Sequence, residues 1–487
     1  MKKWLSFLFV AIVLCWAANS FAAMGYVSAK SSDVDIKLFG SEQMWPTFIH
    51  NASFNSDDKK FDWIGREDGH EKQFDIRNQF RMGWKITGNK WSGFFILEDD
   101  VNATKTNIDR SENGNNGSAA FGLEKLEFHY NFSKYFIWEL GWNGKALDIK
   151  TGGLVYTDDH PFIGFKGGDK NWKYEVLFMA IRNDGKDGLH IRTGVNNWSG
   201  VQDNLFAYTA KLYYTFDTGS GKLTFAPFFA WQQNQIARAD AYYFGFELFG
   251  KLGIIVPRLE LVYVTGKQDG VTLANGTKDD LDIDAWAGFW SLEFDLNKAF
   301  NPYFGMWYIQ GDDDGNDGDE HNFQGITNIA KFTPTFGMGY GDSLTDTNII
   351  LGTVLYSINP TLANLKGGAG YGAIGGSAKT GGPGVIFYGI GFKGDLSDVM
   401  AKGLSYKLQG YYMEYEDTGA MEDYYGKDID EEMGWGIAFN LKYQINKHFY
   451  ILNTFNVFDP GDGIEDKWGN DYDDTMYTNT TEFAWKW

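Results

Sequence analysis

The last residues of the chain constrain its fold most. In Tyr477-Thr-Asn-Thr-Thr-Glu-Phe-Ala-Trp-Lys-Trp487, Tyr477, Asn479, Thr481, Phe483, Trp485 and Trp487 fall on one face of a strand. Thr478, Thr480, Glu482 and Lys486 fall on the other. Successive strand residues point to opposite faces, so this is a strand with an aromatic side and a polar side. The same alternation recurs along most of the sequence. Met433, Trp435, Ile437, Phe439, Leu441, Tyr443 and Ile445 interleave with Gly434, Gly436, Ala438, Asn440, Lys442 and Gln444. Phe74, Ile76, Phe80, Met82, Trp84 and Ile86 interleave with Asp75, Arg77, Gln79, Arg81 and Lys85. Trp286, Trp290, Leu292 and Phe294 interleave with Ala285, Ser291, Glu293 and Asp295.

A soluble β-sandwich would alternate in the same way. What separates the strands decides between the two. Short connections such as Thr87-Gly-Asn-Lys90, Asn131-Phe-Ser-Lys134 and Asn446-Lys447 alternate with long ones near 45–73, 100–119, 143–160, 182–203, 266–284, 416–432 and 459–474. The long ones are rich in Asp, Asn and Gly. Short turns at one end and long loops at the other mark a transmembrane antiparallel β-barrel, and a sandwich has no reason for that asymmetry.

The apolar run Leu5–Ala18 follows Lys2 and Lys3 and precedes Ser20 and Ala22, which suits cleavage after Ala22. Residues 1–22 therefore read as a signal peptide and 23–487 as a single domain. Cys15 lies inside the apolar run with Leu14 before it, which argues against a lipid-modified cysteine. It is the chain's one cysteine, so the mature protein has none. That excludes a disulfide framework, thiol catalysis and Cys-ligated zinc. Beyond residue 23 nothing reads as a membrane helix, and mean hydropathy is −0.35. A membrane protein without membrane helices must be a closed barrel, because no other fold satisfies its backbone polar groups in lipid. High glycine (60 residues) and aromatics (17 %) with only 9 prolines suit strands and tight turns.

The formal charge is −21, and loss of the two leader lysines leaves −23. That excludes nucleic acid as a partner. Strand parity gives a count. The rule that short turns follow every even strand holds up to Tyr303–Gln310. It continues if residues 311–384 form one long outer excursion. The result is eighteen spanning strands and nine outer loops. Sixteen is the alternative, if the segments near 162 and 242 do not span. Asn348–Ile358 would then be a strand within the excursion.

Enzyme motifs are missing: no His-Glu-x-x-His, no Gly-x-Ser-x-Gly and no phosphate loop occur. Gly370-Tyr-Gly-Ala-Ile-Gly375 matches a dinucleotide pattern but lies in a glycine-rich loop without βαβ context, so flexibility is the favoured reading. Asp312, Asp314 and Asn316 have the spacing of the first ligands of a calcium loop, but Asp317 and Phe323 stand where its glycine and glutamate belong. A solvated acidic loop is favoured over a dedicated site, leaving weak Ca2+ binding in the outer loops as the one cofactor expectation. On the lumen face, Arg77, Arg81 and Lys85 form a basic ladder.

At this point the chain resembles the general porins of Gram-negative outer membranes, specifically the homotrimeric porins of deltaproteobacteria. The resemblance rests on the Lys2–Ala22 leader, the strands Phe74–Ile86 and Phe121–Tyr130, the run Leu140-Gly-Trp-Asn-Gly-Lys-Ala-Leu147 into the third loop, and the terminal Phe483-Ala-Trp-Lys-Trp487. It implies an outer-membrane barrel that forms a homotrimer, sits among lipid and lipopolysaccharide, and is assembled by machinery that reads Phe483, Trp485 and Trp487. It also implies an inward-folded third loop, Asn143–Pro161, which carries Lys145, Asp158 and Asp159. These would face Arg77, Arg81 and Lys85 across a constriction. The long 311–384 excursion departs from that pattern. The expected function is a water-filled channel for passive diffusion of ions and small hydrophilic solutes. The alternatives are a channel specific for a sugar or organic acid, a surface adhesin or structural barrel, and a secreted soluble β-protein.

Overall fold

The computed structural model describes residues 28–30, 33–50, 75–102, 122–183, 204–235, 238–326, 333–336 and 382–487. Within them one continuous sheet holds two short strands, Ser28–Lys30 and Asp319–Glu320, and eighteen longer ones. The longer strands run antiparallel, each against the next. The sheet closes where Asp35–His50 pairs with Met476–Lys486, with Gln43 opposite Ala484 and Thr47 opposite Thr480. Side chains fasten this seam: Gln43 Nε2 donates to Glu482 Oε1 at 2.8 Å, and the Thr47 and Thr480 hydroxyls lie 3.0 Å apart. Closure leaves the long strands no open edge.

The alternation read from the sequence decides which side faces out. Trp435 and Ile437 are exposed, whereas Gly436, Ala438 and Asn440 between them are buried inside. Trp286 and Trp290 are exposed while Ser291 is buried. Tyr477 faces out while Thr478, Thr480 and Glu482 are buried. Met433 is a correction. It was grouped with the outward residues, but it is fully buried. The register shifts opposite Met413 and Glu414. Gly434 takes φ +125° there. The extra residue of that bulge turns Met433 inward.

Strand parity holds. Asn301–Ile309 pairs directly with Val385–Asp395, so 310–384 is one excursion at the long-loop end. The segments near 162 and 242 lie in full strands, Thr157–Gly168 and Ala239–Leu252, which makes the count eighteen rather than sixteen. Asn348–Ile358 lies outside the described residues. Two loop boundaries are corrected. Ile255–Thr272 and Lys278–Phe294 continue through most of the expected loop 266–284, leaving a five-residue turn. The acidic residues there, such as Asp282 and Asp284, occupy one face of a strand whose other face carries Leu281 and Ile283. The third loop shrinks to 147–156, because its flanking strands run to Ala146 and from Thr157. Among the described residues, no helix is long and apolar enough to cross a membrane.

The core lies inside the barrel. Inward-facing Phe289, Trp307 and Phe387 pack against loop residues Leu154, Tyr156, Phe323 and Phe336.

Candidate constriction of the lumen

Loop 147–156 turns into the barrel because its own chain folds around Asp148. The carboxylate of Asp148 accepts from the backbone N–H of Val155 and, at 3.2 Å, of Tyr156. Its carbonyl accepts from Thr151 and Gly153 at 3.3 and 3.2 Å. The tip then crosses to the far wall. Trp307 Nε1 donates to the Gly152 carbonyl at 3.0 Å. A Cβ added at Gly152 would sit 2.5 Å from Phe289 Cβ, so only glycine allows this approach. Lys211 donates to the Leu147 carbonyl and to Glu247.

Thr151 Oγ1 lies 2.8 Å from Glu247 Oε1 and 2.7 Å from Glu260 Oε2. Gly152 N–H also donates to Glu260 Oε2, at 2.7 Å. A threonine has one hydroxyl proton, so one of its two carboxyl contacts must itself supply a proton. Asp148, Glu247 and Glu260 thus gather at the loop tip, with the Lys211 ammonium bonded to Glu247. Burial pushes the Asp148 carboxyl above its ordinary range, and Glu247 adds to the effect against the bond to Glu260.

A second segment enters from the long excursion. Phe336 packs on Trp307, Phe387 and Tyr303, with ring centroids 5.2, 5.4 and 5.6 Å away. Gln409 Nε2 donates to its carbonyl at 3.2 Å. Thr335 bonds Ser291 at 2.8 Å and Arg258 at 3.2 Å. The two inward segments meet where Ile326 N–H donates to the Val155 carbonyl at 2.8 Å.

The opposite wall is a charge network. Arg81 bonds Glu98, and reaches Glu124 at 3.2 Å. Lys145 sits 3.0 Å from both Glu127 and Glu139. Lys166 reaches Glu139 at 2.6 Å. His129 lies 2.7 Å from Glu127. Glu127, His129 and Glu139 are close enough to share a metal ion, but the Lys145 ammonium already occupies the position between the two carboxylates.

The expected site residues are partly brought together. Lys145 is in the wall beside the loop. Arg81 is tied to Glu98 and Glu124, and Asp159 to Lys125 at 3.4 Å, so these two do not face each other as an ion pair. Arg77 and Asp158 are placed by backbone register, opposite Trp45 and Lys145 respectively; their side chains lie outside the described ones. Lys85 is exposed further down its strand, opposite Lys37. Asp312, Asp314 and Asn316 do not converge. Asp312 is buried and accepts from His321 N–H at 3.3 Å. Asp314 caps the Asn316 N–H at 2.8 Å, and the Asn316 side chain accepts from Asn275 N–H at 2.8 Å. Asp312 instead groups with Asp313 and His321. Phe483 pairs across strands with Met44, Trp485 stacks on Phe449 at 4.8 Å, and Trp487 lies 5.8 Å from Phe80.

Sequence reasoning missed Thr151, Lys211, Glu247, Glu260 and Trp307. The signal in reach was Glu247 and Glu260, acids on the inward register of strands whose outward faces are aromatic or aliphatic.

The architecture is that of a closed transmembrane β-barrel whose lumen is crossed by two of its own loops. No protein-family model matches the chain, and no curated protein does. Solved structures are similar. A BenF-like porin from Pseudomonas fluorescens Pf-5 matches with a TM-score of 0.51 at 10% identity, over 93% of this chain and 98% of that one. OccK8 (OprE) from Pseudomonas aeruginosa matches with a TM-score of 0.50 at 13% identity, over 93% and 98% of the two chains. OccK2 (OpdF) from the same organism, in complex with glucuronate, matches with a TM-score of 0.50 at 10% identity, over 95% and 99%. At such identities the likeness is one of fold.

Proposed function

We propose that the chain is a solute-specific channel in the outer membrane of a Gram-negative bacterium, passing small organic acids or sugars. The observation that carries this reading is the double crossing of the lumen, with loop 147–156 and the segment through Ile326 and Phe336 joined at Val155. A passage narrowed from two sides and lined by fixed charges of both signs selects by shape and hydrogen bonding as well as by size. Lys393, paired with Glu293 at 2.8 Å, and Lys407 stand opposite each other on adjoining strands and make that stretch of the wall basic. The glucuronate bound by the similarly folded OccK2 is an acid sugar of this kind.

In the same reading residues 1–22 direct export, barrel-assembly machinery reads Phe483, Trp485 and Trp487, and lipid and lipopolysaccharide surround a homotrimer. In this reading the protein is a passage for solutes and not an enzyme. Swelling of proteoliposomes in isotonic glucuronate, an aromatic acid and a neutral hexose tests the specificity. Rates that depart from size order and saturate with concentration are expected. Rates that follow size alone would return the protein to a general diffusion pore for ions and small solutes, and the absence of any current in planar bilayers would favour an adhesin or structural barrel.

A further inference from the structure

Glu247 and Glu260 stand directly opposite each other on the neighbouring antiparallel strands Ala239–Leu252 and Ile255–Thr272. Both are fully buried. Like charges set opposite on adjoining strands repel, and a buried carboxylate is costly unless its oxygens are bonded. The hydrogen bonds tell the two acids apart. Glu247 Oε2 accepts from the Lys211 ammonium, which makes this residue the acceptor of the pair. The Thr151 hydroxyl, 2.8 Å from Glu247 Oε1, therefore donates its one proton there. Thr151 Oγ1 also lies 2.7 Å from Glu260 Oε2 and has no second proton to give. Glu260 is then the donor in that contact, so it carries a proton. Its Oε2 still accepts the Gly152 N–H at 2.7 Å, as the oxygen of a carboxylic acid can. Its Oε1 has no hydrogen-bond partner among the described residues. A bare buried oxygen costs a neutral acid much less than a carboxylate.

The other charged groups around Glu260 leave that proton in place. Lys211 is taken by Glu247 and by the Leu147 carbonyl. Tyr213 has its ring 4.7 Å from the same ammonium. Arg258, two residues before Glu260, turns to Glu293 and Thr335. Asp148, where the loop begins, is a third acid and accepts from the backbone of its own loop. Lys150, the loop's own cation, is exposed. On the side away from Glu247, Glu260 is opposite Phe289, which does not titrate.

We propose that the Glu260 carboxyl is a proton-binding site that holds loop 147–156 across the lumen, and that loss of this one proton releases the loop tip and widens the passage. The proton goes to water. Its loss leaves a second carboxylate opposite Glu247, takes the donor from Thr151 Oγ1 and brings in no cation. The sign follows from the proton count. The held-in loop keeps a proton that a free glutamate gives up above about pH 4.3. The held-in state is therefore favoured at low pH and lost as pH rises. Burial of Asp148, whose carboxyl is also pushed above its ordinary range, acts in the same direction. The channel conducts less in acid than in alkaline water. The inference goes beyond solute choice and rests on the reading of the barrel as a channel.

The test is conductance of the full-length protein in planar bilayers, at one salt concentration, from pH 5 to pH 9. Wild-type conductance should rise along a one-proton curve, most of the change falling within about two pH units. Glu260→Gln keeps the shape, donates to Thr151 from its amide and cannot ionise. It should stay at the acid-side conductance throughout. A flat wild-type response would overturn the proposal. So would a wild-type rise that survives in Glu260→Gln, above all one that disappears in Asp312→Asn, which would assign it to the outer loop.

A thiol follows the loop itself. Leu154 is buried, and the chain's one cysteine is Cys15. Leu154→Cys is made in the wild-type and the Glu260→Gln chain, and both are labelled with a water-soluble thiol reagent. The ratio of the two rates cancels the thiol's own ionisation. It should climb about tenfold per pH unit through the transition, as expected for release of one proton. A constant ratio would overturn the proposal even if conductance changed. No current at any pH would overturn the channel reading, and the labelling ratio would still decide for or against the proton-held loop.

Discussion

Ile326 donates its backbone N–H to the carbonyl of Val155 at 2.8 Å, and this bond joins two loops that leave the barrel wall at different strands. Trp307 lies under both, holding the Gly152 carbonyl through Nε1 and Phe336 through its ring. Ile326→Pro removes the donor without changing the loop's charge. Conductance in planar bilayers should rise and discrimination between solutes should fall. Trp307→Phe, which loses the bond to Gly152 and part of the ring packed on Phe336, should move both in the same direction by less. Unchanged conductance in both variants would place the narrowest point away from this junction.

Thr151 is expected to fix the loop tip. Thr151→Val keeps the shape and removes the hydroxyl that meets Glu247 and Glu260. Leaving buried carboxyl groups short of a partner costs about 1–3 kcal/mol. Urea unfolding in vesicles should show a loss of that size, and Thr151→Ser should restore most of it.

Much of the fold was legible because its signal is local. Period-two alternation, short against long connections, and the terminal Phe483–Trp487 face are each written in consecutive residues. Parity then settled the excursion 311–384 without any contact being known. What stayed hidden is non-local. The partners of Thr151 come from two strands about a hundred residues away, and only the closed sheet brings Glu247 and Glu260 to it. Asp159 looked like a lumen acid in sequence. Alternation along Thr157–Gly168 puts His160, Phe162 and Lys166 inward instead, and Asp159 pairs with Lys125 at the loop end. The acidic stretch 266–284 read as a loop because a strand that outruns the membrane can carry acids such as Asp282 and Asp284 on its outward face, where the membrane-spanning part is apolar.

Arg81 is bonded to both Glu98 and Glu124. Arg81→Ala leaves those two acids on the wall, so the lumen there gains negative charge. The reversal potential in a salt gradient should shift toward cation preference. The double change Arg81→Ala with Glu124→Gln should return it part of the way. A wild-type potential in the single variant would show that ions pass elsewhere.

The outer loop around Asp312 should loosen as pH rises. Burial pushes the Asp312 carboxyl up to about 7 from an ordinary value of 3.8, with Asp317 and Asp313 adding to it and His321 opposing. Buried Glu320 is raised in the same way, and the His321 pKa is raised by Asp313 and Asp312 despite its desolvation. All three groups bind protons more tightly in the folded loop than in an unfolded one. Their contribution is therefore present at low pH and is lost as pH rises through about 7. Protease nicking within 311–321 should be slower at pH 5 than at pH 8. In Asp312→Asn the difference should shrink.

Outward and inward positions one residue apart should differ sharply in tolerance. Phe439 and Asn440 are consecutive in Glu432–Gln444, with Phe439 opposite outward Leu408 and Phe455. Asn440 is turned into the lumen and buried. Arginine at a mid-membrane, lipid-facing position costs about 2–4 kcal/mol. Phe439→Arg should lower unfolding stability in vesicles by that amount and slow assembly. Asn440→Arg puts the same charge where water and lumen acids can solvate it. It should cost little stability and act on current instead, by narrowing the passage. The comparison controls for size and charge, since both variants carry the same side chain. Equal losses of stability would mean that the two faces of this strand have been exchanged.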